Sequence, residues 1–430
     1  MDASPEKLPL RSHLDGQAFC VLLLLIAWQL DMQWLWILAI GWSITFMGWE
    51  VRRYFSARKI QRTKNCSQQP DPSSTKRPVD GSRFLELVVL SELLTAEQLQ
   101  AFVSKFPAGQ WQRLTEHVGK LAEEFVQDQL LTSWQANLLL AGKYKGFMLG
   151  KYKLLKLLGS GGMSSVYLAE HTPFGRLMAV KVLPKSKAGD STELAHFINS
   201  SRWTARLDTN HHFIHAHDLD QVGNTHFIVM DYFPGTTLKY LVKHQGPLDY
   251  FTAVNYIAQA TEGIAALHQT GAAHLGLKPD QLYLTDDGVI KLFDCGLFWQ
   301  AEDTRESLLN DLCLRAEGLD YRAPDLANSI EQVGTLADIY SLGCVLYFLL
   351  TGHAPYPAGT APQRIMHHLR DRIPDLRDER PDAPARLIEI LHRMLAKNPS
   401  ERYTSAGHLY RDLDAFLLDE GGESQLALVP

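Results

Sequence analysis

Hydrophobic and polar positions change rhythm along this chain, and each change predicts a different kind of element. From Gln17 to Trp49 apolar residues dominate, with one acidic residue, Asp31, and no Lys or Arg. As a single helix this run would reach about 50 Å, well past a hydrocarbon core of roughly 30 Å. A lone carboxylate near its middle costs about 2.5–3.5 kcal/mol on insertion. A turn at Asp31-Met32-Gln33 removes that cost and leaves two segments, 14–30 and 34–49, each near the lower length limit for a span. Trp28, Trp34, Trp36, Trp42 and Trp49 suit interfacial belts, and Arg52, Arg53, Arg58, Lys59, Arg62 and Lys64 mark the side after the second segment as cytoplasmic. The expectation is a transmembrane helical hairpin; a single span and a buried soluble helix are the alternatives. No small-residue cleavage site comes after the run, which argues against a cleaved signal peptide.

Residues 65–82 are rich in Ser, Pro, Gln and Lys, the composition of a flexible linker. From Phe84 to Lys143 the period becomes helical, as in Leu114, Val118, Leu121 and Phe125. That stretch predicts a small helical bundle packed against the region C-terminal to it, with a dedicated protein-binding module as the lesser reading. At Tyr152 the pattern turns to β-type runs, and long helical and mixed segments continue to the C-terminus.

Composition narrows the field. Hydrophobic content of 46% and charged content of 21% are globular values. The net charge of −6 argues against a nucleic-acid partner, which would call for a basic face. Cys20, Cys66, Cys295, Cys313 and Cys344 are scattered and form no CxxC pair, the pattern of reduced thiols and not of a disulfide framework.

The chemistry-bearing motifs begin with Leu158-Gly159-Ser160-Gly161-Gly162-Met163-Ser164-Ser165-Val166-Tyr167, a glycine-rich turn between two β-type runs. Such a turn lets backbone N–H groups approach phosphates without obstruction by Cβ atoms. Met178-Ala179-Val180-Lys181 lies on the next run. Then come Phe227-Ile228-Val229-Met230-Asp231-Tyr232-Phe233-Pro234-Gly235, His274-Leu275-Gly276-Leu277-Lys278-Pro279-Asp280-Gln281, Asp294-Cys295-Gly296, Tyr321-Arg322-Ala323-Pro324-Asp325, Asp338-Ile339-Tyr340-Ser341-Leu342-Gly343 and Asn398-Pro399-Ser400-Glu401-Arg402. In this order the set strongly resembles the protein kinase family, in the style of membrane-tethered bacterial Ser/Thr kinases.

The resemblance implies an α+β, two-lobed protein-kinase fold: a small β-rich N-lobe and a large helical C-lobe, preceded by a helical segment and an N-terminal transmembrane region. The implied domains are a membrane anchor with basic flank at 1–64, a linker at 65–82, a helical leader at 83–150, the kinase-like domain at 151–418 and a tail at 419–430. It also implies ATP and Mg²⁺ as cofactors. Gly159, Gly161, Val166, Ala179, Lys181, Met230, Asp231, Phe233 and Asp294 would hold the nucleotide, and Asp294 with Gln281 the metal. Asp325 stands for the glutamate of A-P-E and would pair with Arg402; Asp338 would brace the catalytic loop.

Departures from the family pattern fall on phosphoryl transfer. Gly276 stands at the position of the catalytic base and can accept no proton. Gln281 replaces the metal-binding asparagine with a longer amide. Ser200 stands where the helix-C glutamate should pin Lys181, and Glu193 lies at the wrong height for that task. Gly318 replaces the threonine expected before Tyr321, and Leu275 replaces the arginine that answers a phosphorylated activation segment. Lys278, which helps the γ-phosphate in the family, persists. These losses read as a membrane-anchored pseudokinase with a nucleotide site, its kinase-like domain cytoplasmic, signalling by docking protein partners. The alternative is a weakly active Ser/Thr protein kinase.

Three further features read plainly. His211, His212, His215 and His217 have metal-like spacing, but strand alternation would split them between faces, so they read as surface histidines. Cys295 reads as a small hydrophobe in the D-F-G phenylalanine pocket, and Thr304 and Ser307 as ordinary loop residues.

Overall fold

The computed structural model describes residues 79–161, 164–184, 186, 194–195, 197–198, 210–293, 318–327 and 334–421. The expected membrane anchor, residues 65–78 of the expected linker, Glu193, Ser200, Asp294, Cys295, Thr304, Ser307 and the tail beyond 421 lie outside them, whereas Gly81 and Ser82, expected in the linker, begin the first helix.

A bundle of short helices comes first: α1 (Gly81–Ser91), α2 (Ala96–Ser104), α3 (Ala108–Glu116), α4 (Val118–Gln127) and α5 (Ser133–Leu140). Thr95 with Gln98, and Thr132 with Gln135, form reciprocal capping boxes that satisfy otherwise orphaned N–H groups and start α2 and α5. Phe84, Leu87, Phe102, Leu121, Phe125 and Leu139 close a core of their own, with the Phe102 and Phe125 rings 4.0 Å apart. The run Leu114–Phe125, expected as one helical face, is broken at His117 (φ −119, ψ 76). Leu114, Leu121 and Phe125 are buried on both sides of the break, so the apolar period passes through it unchanged.

The described residues also form the strands β1 (Met148–Leu149), β2 (Tyr152–Ser160), β3 (Ser165–His171), β4 (Arg176–Val182), β5 (Ala216–Val222), β6 (Thr225–Asp231), β7 (Gly235–Thr237), β8 (Leu282–Thr285) and β9 (Ile290–Leu292). The first six make an antiparallel sheet in the order β1-β2-β3-β4-β6-β5, and the last three a small second sheet. Period-two alternation sorts the large sheet's side chains. Tyr152, Leu154, Met178, Val180 and Val229 pack on one face; Ala179, Ile228 and Met230 pack on the other with Leu183 and Phe197.

The leader bundle is fastened to the first of these faces. Thr132 Oγ1 donates to the Leu155 carbonyl at 2.6 Å, and Gln135 Nε2 donates to the Leu154 carbonyl at 2.7 Å. Both carbonyls sit at a register shift of β2, where the β3 ladder skips Leu155. Trp134 adds its ring between Phe147 and Tyr167.

The second lobe is helical: α6 (Leu238–Gln245), α7 (Tyr250–Gln269), α8 (Gly334–Thr351), α9 (Ala361–Arg370), α10 (Ala385–Met394) and α11 (Ala406–Gly421). Helix α8 is apolar all round because it is the axis of this lobe, buried from Ala337 to Leu350. It is the one described helix long and apolar enough to cross a membrane, and burial inside the lobe accounts for that composition. Gly343 is required there, since a Cβ would lie 2.8 Å from that of Met394 on α10.

Candidate functional site

The cleft between the lobes is built from strand register. Lys181 on β4 lies opposite Val166 on β3, which lies opposite Gly159 on β2; Ala179 lies opposite Met230 on β6. Gly159, Val166 and Lys181 thus fall in one row across three strands. The glycine turn is closed by Gly161 N–H donating to the Ser164 carbonyl at 3.0 Å. A Cβ on Gly159 or Gly161 would meet no described atom within 4 Å, so packing does not demand either glycine. What glycine leaves there is room above the backbone N–H groups, the condition for a phosphate to approach. The Lys181 side chain is buried, its Nζ 5.7 Å from the centre of the Phe197 ring.

The loop from His274 to Gln281 is held from below by one carboxylate. Asp338, fully buried on α8, accepts from the backbone N–H groups of His274 and Leu275, each at 2.7 Å, and from His268 Nε2 at 2.9 Å. Leu275 is one of few described non-glycine residues with a left-handed backbone (φ 55). Its side chain belongs to the C-lobe core, and the two N–H bonds to Asp338 compensate a conformation worth about 1 kcal/mol of strain. The bracing expected of Asp338 is therefore present around the loop that carries Gly276. Gln281 is 5% exposed, and its backbone carbonyl accepts from Phe293 N–H at 3.2 Å.

Gly318 has φ 89, and a Cβ placed on it would lie 3.6 Å from Cδ of Lys278. The missing threonine is thus more than a lost hydroxyl: the backbone here has a shape that a β-branched residue resists. Asp320, two residues on, pairs with Arg364 of α9 at 2.5 Å, and Asp325 pairs with Arg402.

Asp231 and Phe233, expected at the nucleotide's base, are differently disposed. The Asp231 carboxylate faces His217 (2.6 Å) and Arg176 (3.4 Å), and its backbone N–H donates to the His215 carbonyl at 3.1 Å. The Phe233 carbonyl accepts from the Tyr283 hydroxyl at 3.1 Å. Tyr283, Lys291 and Phe293 form the C-lobe side of the cleft, although none of them belongs to a motif that marks it. Alternation exposes them: Leu282, Ile290 and Leu292 are fully buried in the C-lobe core, so their neighbours on β8 and β9 point the other way. Lys291 Nζ stands 4.2 Å from the Phe233 ring centre and donates to the His211 carbonyl at 2.5 Å. Burial lowers its pKa, with Asp231 and Asp287 opposing.

Of the four histidines read as surface residues, His211 and His217 are exposed and His215 is half-buried, while His212 departs from the expectation. His212 is 3% exposed, with Nδ1 2.8 Å from the Ile290 carbonyl, because it closes the joint between α7 and β9. Among the described residues no group of His, Cys, Asp and Glu could hold a metal ion. Asp294 lies outside those residues.

Comparison with known proteins gives a single direction. The family described as protein kinase domain matches residues 152–412. The chain is similar to the serine/threonine-protein kinase PknD of Mycobacterium tuberculosis, 34% identical over 265 residues, covering 61% of this chain and 39% of that one. It is similar to PknH of Mycobacterium bovis, 35% identical over 264 residues (61% and 44%), and to PrkC of Bacillus subtilis, 31% over 284 residues (65% and 42%). The match thus spans about two fifths of the length of these curated relatives.

Proposed function

The chain belongs to the protein kinase family, and we propose that within it this protein is a pseudokinase: a nucleotide-binding, membrane-anchored scaffold that signals by docking protein partners. The observation that carries this reading is Gly276 in an otherwise braced catalytic loop. Asp338 holds the loop's backbone, so the absent base is a change of chemistry in a preserved frame and not a symptom of a collapsed one. Loss of a general base typically removes about 10²–10⁴ in rate, and Gln281 and Gly318 alter the metal and substrate sides of the same site. What stays is the cradle. Gly159, Val166 and Lys181 fall in one row across three strands, Gly161 lies in the turn after β2 and Ala179 shares the Lys181 face of β4, and Asp294, outside the described residues, would supply a carboxylate for Mg²⁺. The apolar run 17–49 and its basic flank support a membrane anchor with the kinase domain on the cytoplasmic side.

A second reading, a weakly active Ser/Thr kinase, is favoured by Lys278 and by the similarity to serine/threonine-protein kinases. The test is transfer of labelled γ-phosphate to a generic protein substrate by the wild-type chain, with Lys181→Ala as the blank. The pseudokinase predicts equal counts. Turnover above the blank that Asp294→Ala abolishes would install the kinase.

A further inference from the structure

Two aromatic rings from the C-lobe pack against the inner face of the large sheet. Tyr283 and Phe293 rise from β8 and from the end of β9, their rings 6.1 Å apart and edge to face. Both pack against the cluster of Ala179, Ile228 and Met230, the same inner face that carries Lys181 and, partly buried, Val166. The Tyr283 hydroxyl does not point into solvent. It donates to the Phe233 carbonyl, on the segment that joins the two lobes, at 3.1 Å. Its ring also runs beside Gly235: a Cβ built on that glycine would lie 2.9 Å from Cε1 of Tyr283. Tyr283 is therefore held at three points, by the joining segment's carbonyl, by Gly235 and by Phe293.

We propose that Tyr283 is a latch on the nucleotide cleft, its ring filling the base-binding side and its hydroxyl closing on Phe233, so that nucleotide binds only after the ring swings out. The proposal rests on reading the cleft as a nucleotide site and names the residue that sets its affinity. Burial pushes the Tyr283 phenol up to about 12, with Tyr232 and Asp286 adding to the effect, so the hydroxyl stays protonated as a donor through the physiological range. The apparent dissociation constant for a ligand that needs the open form rises by the inverse of the open fraction. A phenol–carbonyl bond plus one packed ring edge corresponds to an open fraction of about one in ten.

ATP titration of the full chain in detergent, without Mg²⁺, tests this by calorimetry. Tyr283→Leu removes both ring and hydroxyl and should tighten ATP about tenfold. Tyr283→Phe keeps the ring and removes the hydroxyl, and should tighten it by about threefold. Unchanged or weaker ATP binding in Tyr283→Leu overturns the latch, since the ring would then be idle or a platform the base stacks on. If Tyr283→Leu fails to fold, Tyr283→Phe decides alone, and affinity no tighter than wild type overturns the proposal. Failure of the wider reading looks different: no ATP binding by the wild type or by either variant removes the nucleotide site and the latch with it, whereas γ-phosphate turnover by the wild type removes the pseudokinase without touching the latch.

Discussion

Replacing Arg402 by alanine should cost this fold several kcal/mol. The side chain is fully buried, with Nη2 2.5 Å and Nη1 3.3 Å from the two carboxylate oxygens of Asp325, itself 11% exposed. The remaining donors reach backbone: Nε to the Ala396 carbonyl at 2.8 Å, Nη1 to that of Leu336 at 2.9 Å, and Nη2 to that of Lys397 at 3.3 Å. The guanidinium also lies 5.0 Å from the Tyr340 ring centre. Alanine would leave a carboxylate without its counter-charge, three carbonyls without these donors and a cavity against Tyr340. Breaking a buried pair from one side costs about 3–5 kcal/mol. The added carbonyls place this case in the upper half, so about 4 kcal/mol is expected. For a large domain that lowers the melting midpoint by roughly 8 °C. The double replacement Arg402→Met with Asp325→Leu removes both charges and keeps volume, and should be more stable than either single change. Urea unfolding of the wild type, Arg402→Ala, Arg402→Met, Asp325→Leu and the double variant, monitored by tryptophan fluorescence, gives both the loss and the cycle. A loss under about 1 kcal/mol for Arg402→Ala, or a double variant no better than the singles, would refute the account.

Gln135→Leu should loosen the leader from β2, because the Leu154 carbonyl loses a 2.7 Å donor in a site where Gln135 is 1% exposed; a cost of about 1–3 kcal/mol in thermal unfolding is expected. Limited proteolysis should then cut near 141–147 sooner than in wild type, whereas an unchanged cleavage rate would show that the bond does not hold the bundle in place. Gly276→Asp alone should not restore γ-phosphate transfer, since residues that act as a unit are strongly non-additive. Adding Gly318→Thr should lower stability by about 1–3 kcal/mol because the backbone there is left-handed (φ 89), so a repaired enzyme would need that loop rebuilt and not only refilled. Full-length protein should sediment with membranes and require detergent for release; recovery in the soluble fraction would remove the anchor.

Much of this protein was decided by residue identity alone. The order of motifs from Gly159 to Arg402 specified the two-lobed fold, and Gly276 carries no carboxylate whatever packs around it. Alternation on β4 likewise put Ala179 and Lys181 on one face and Met178 and Val180 on the other before any partner was known. Other features could not be read that way. The break at His117 is invisible to periodicity because both halves bury the same face. His212 reads as polar surface until α7 and β9 close over it. Gly318 reads as a lost threonine until its φ is known. Tyr283 meets Phe233 across 50 residues of chain, and Asp338 meets Leu275 across 63. Chemical capability and facing are local properties, set by the side chain and the 2.0- or 3.6-residue period. Which buried donor finds which acceptor depends on how distant segments pack, and only the folded chain fixes that.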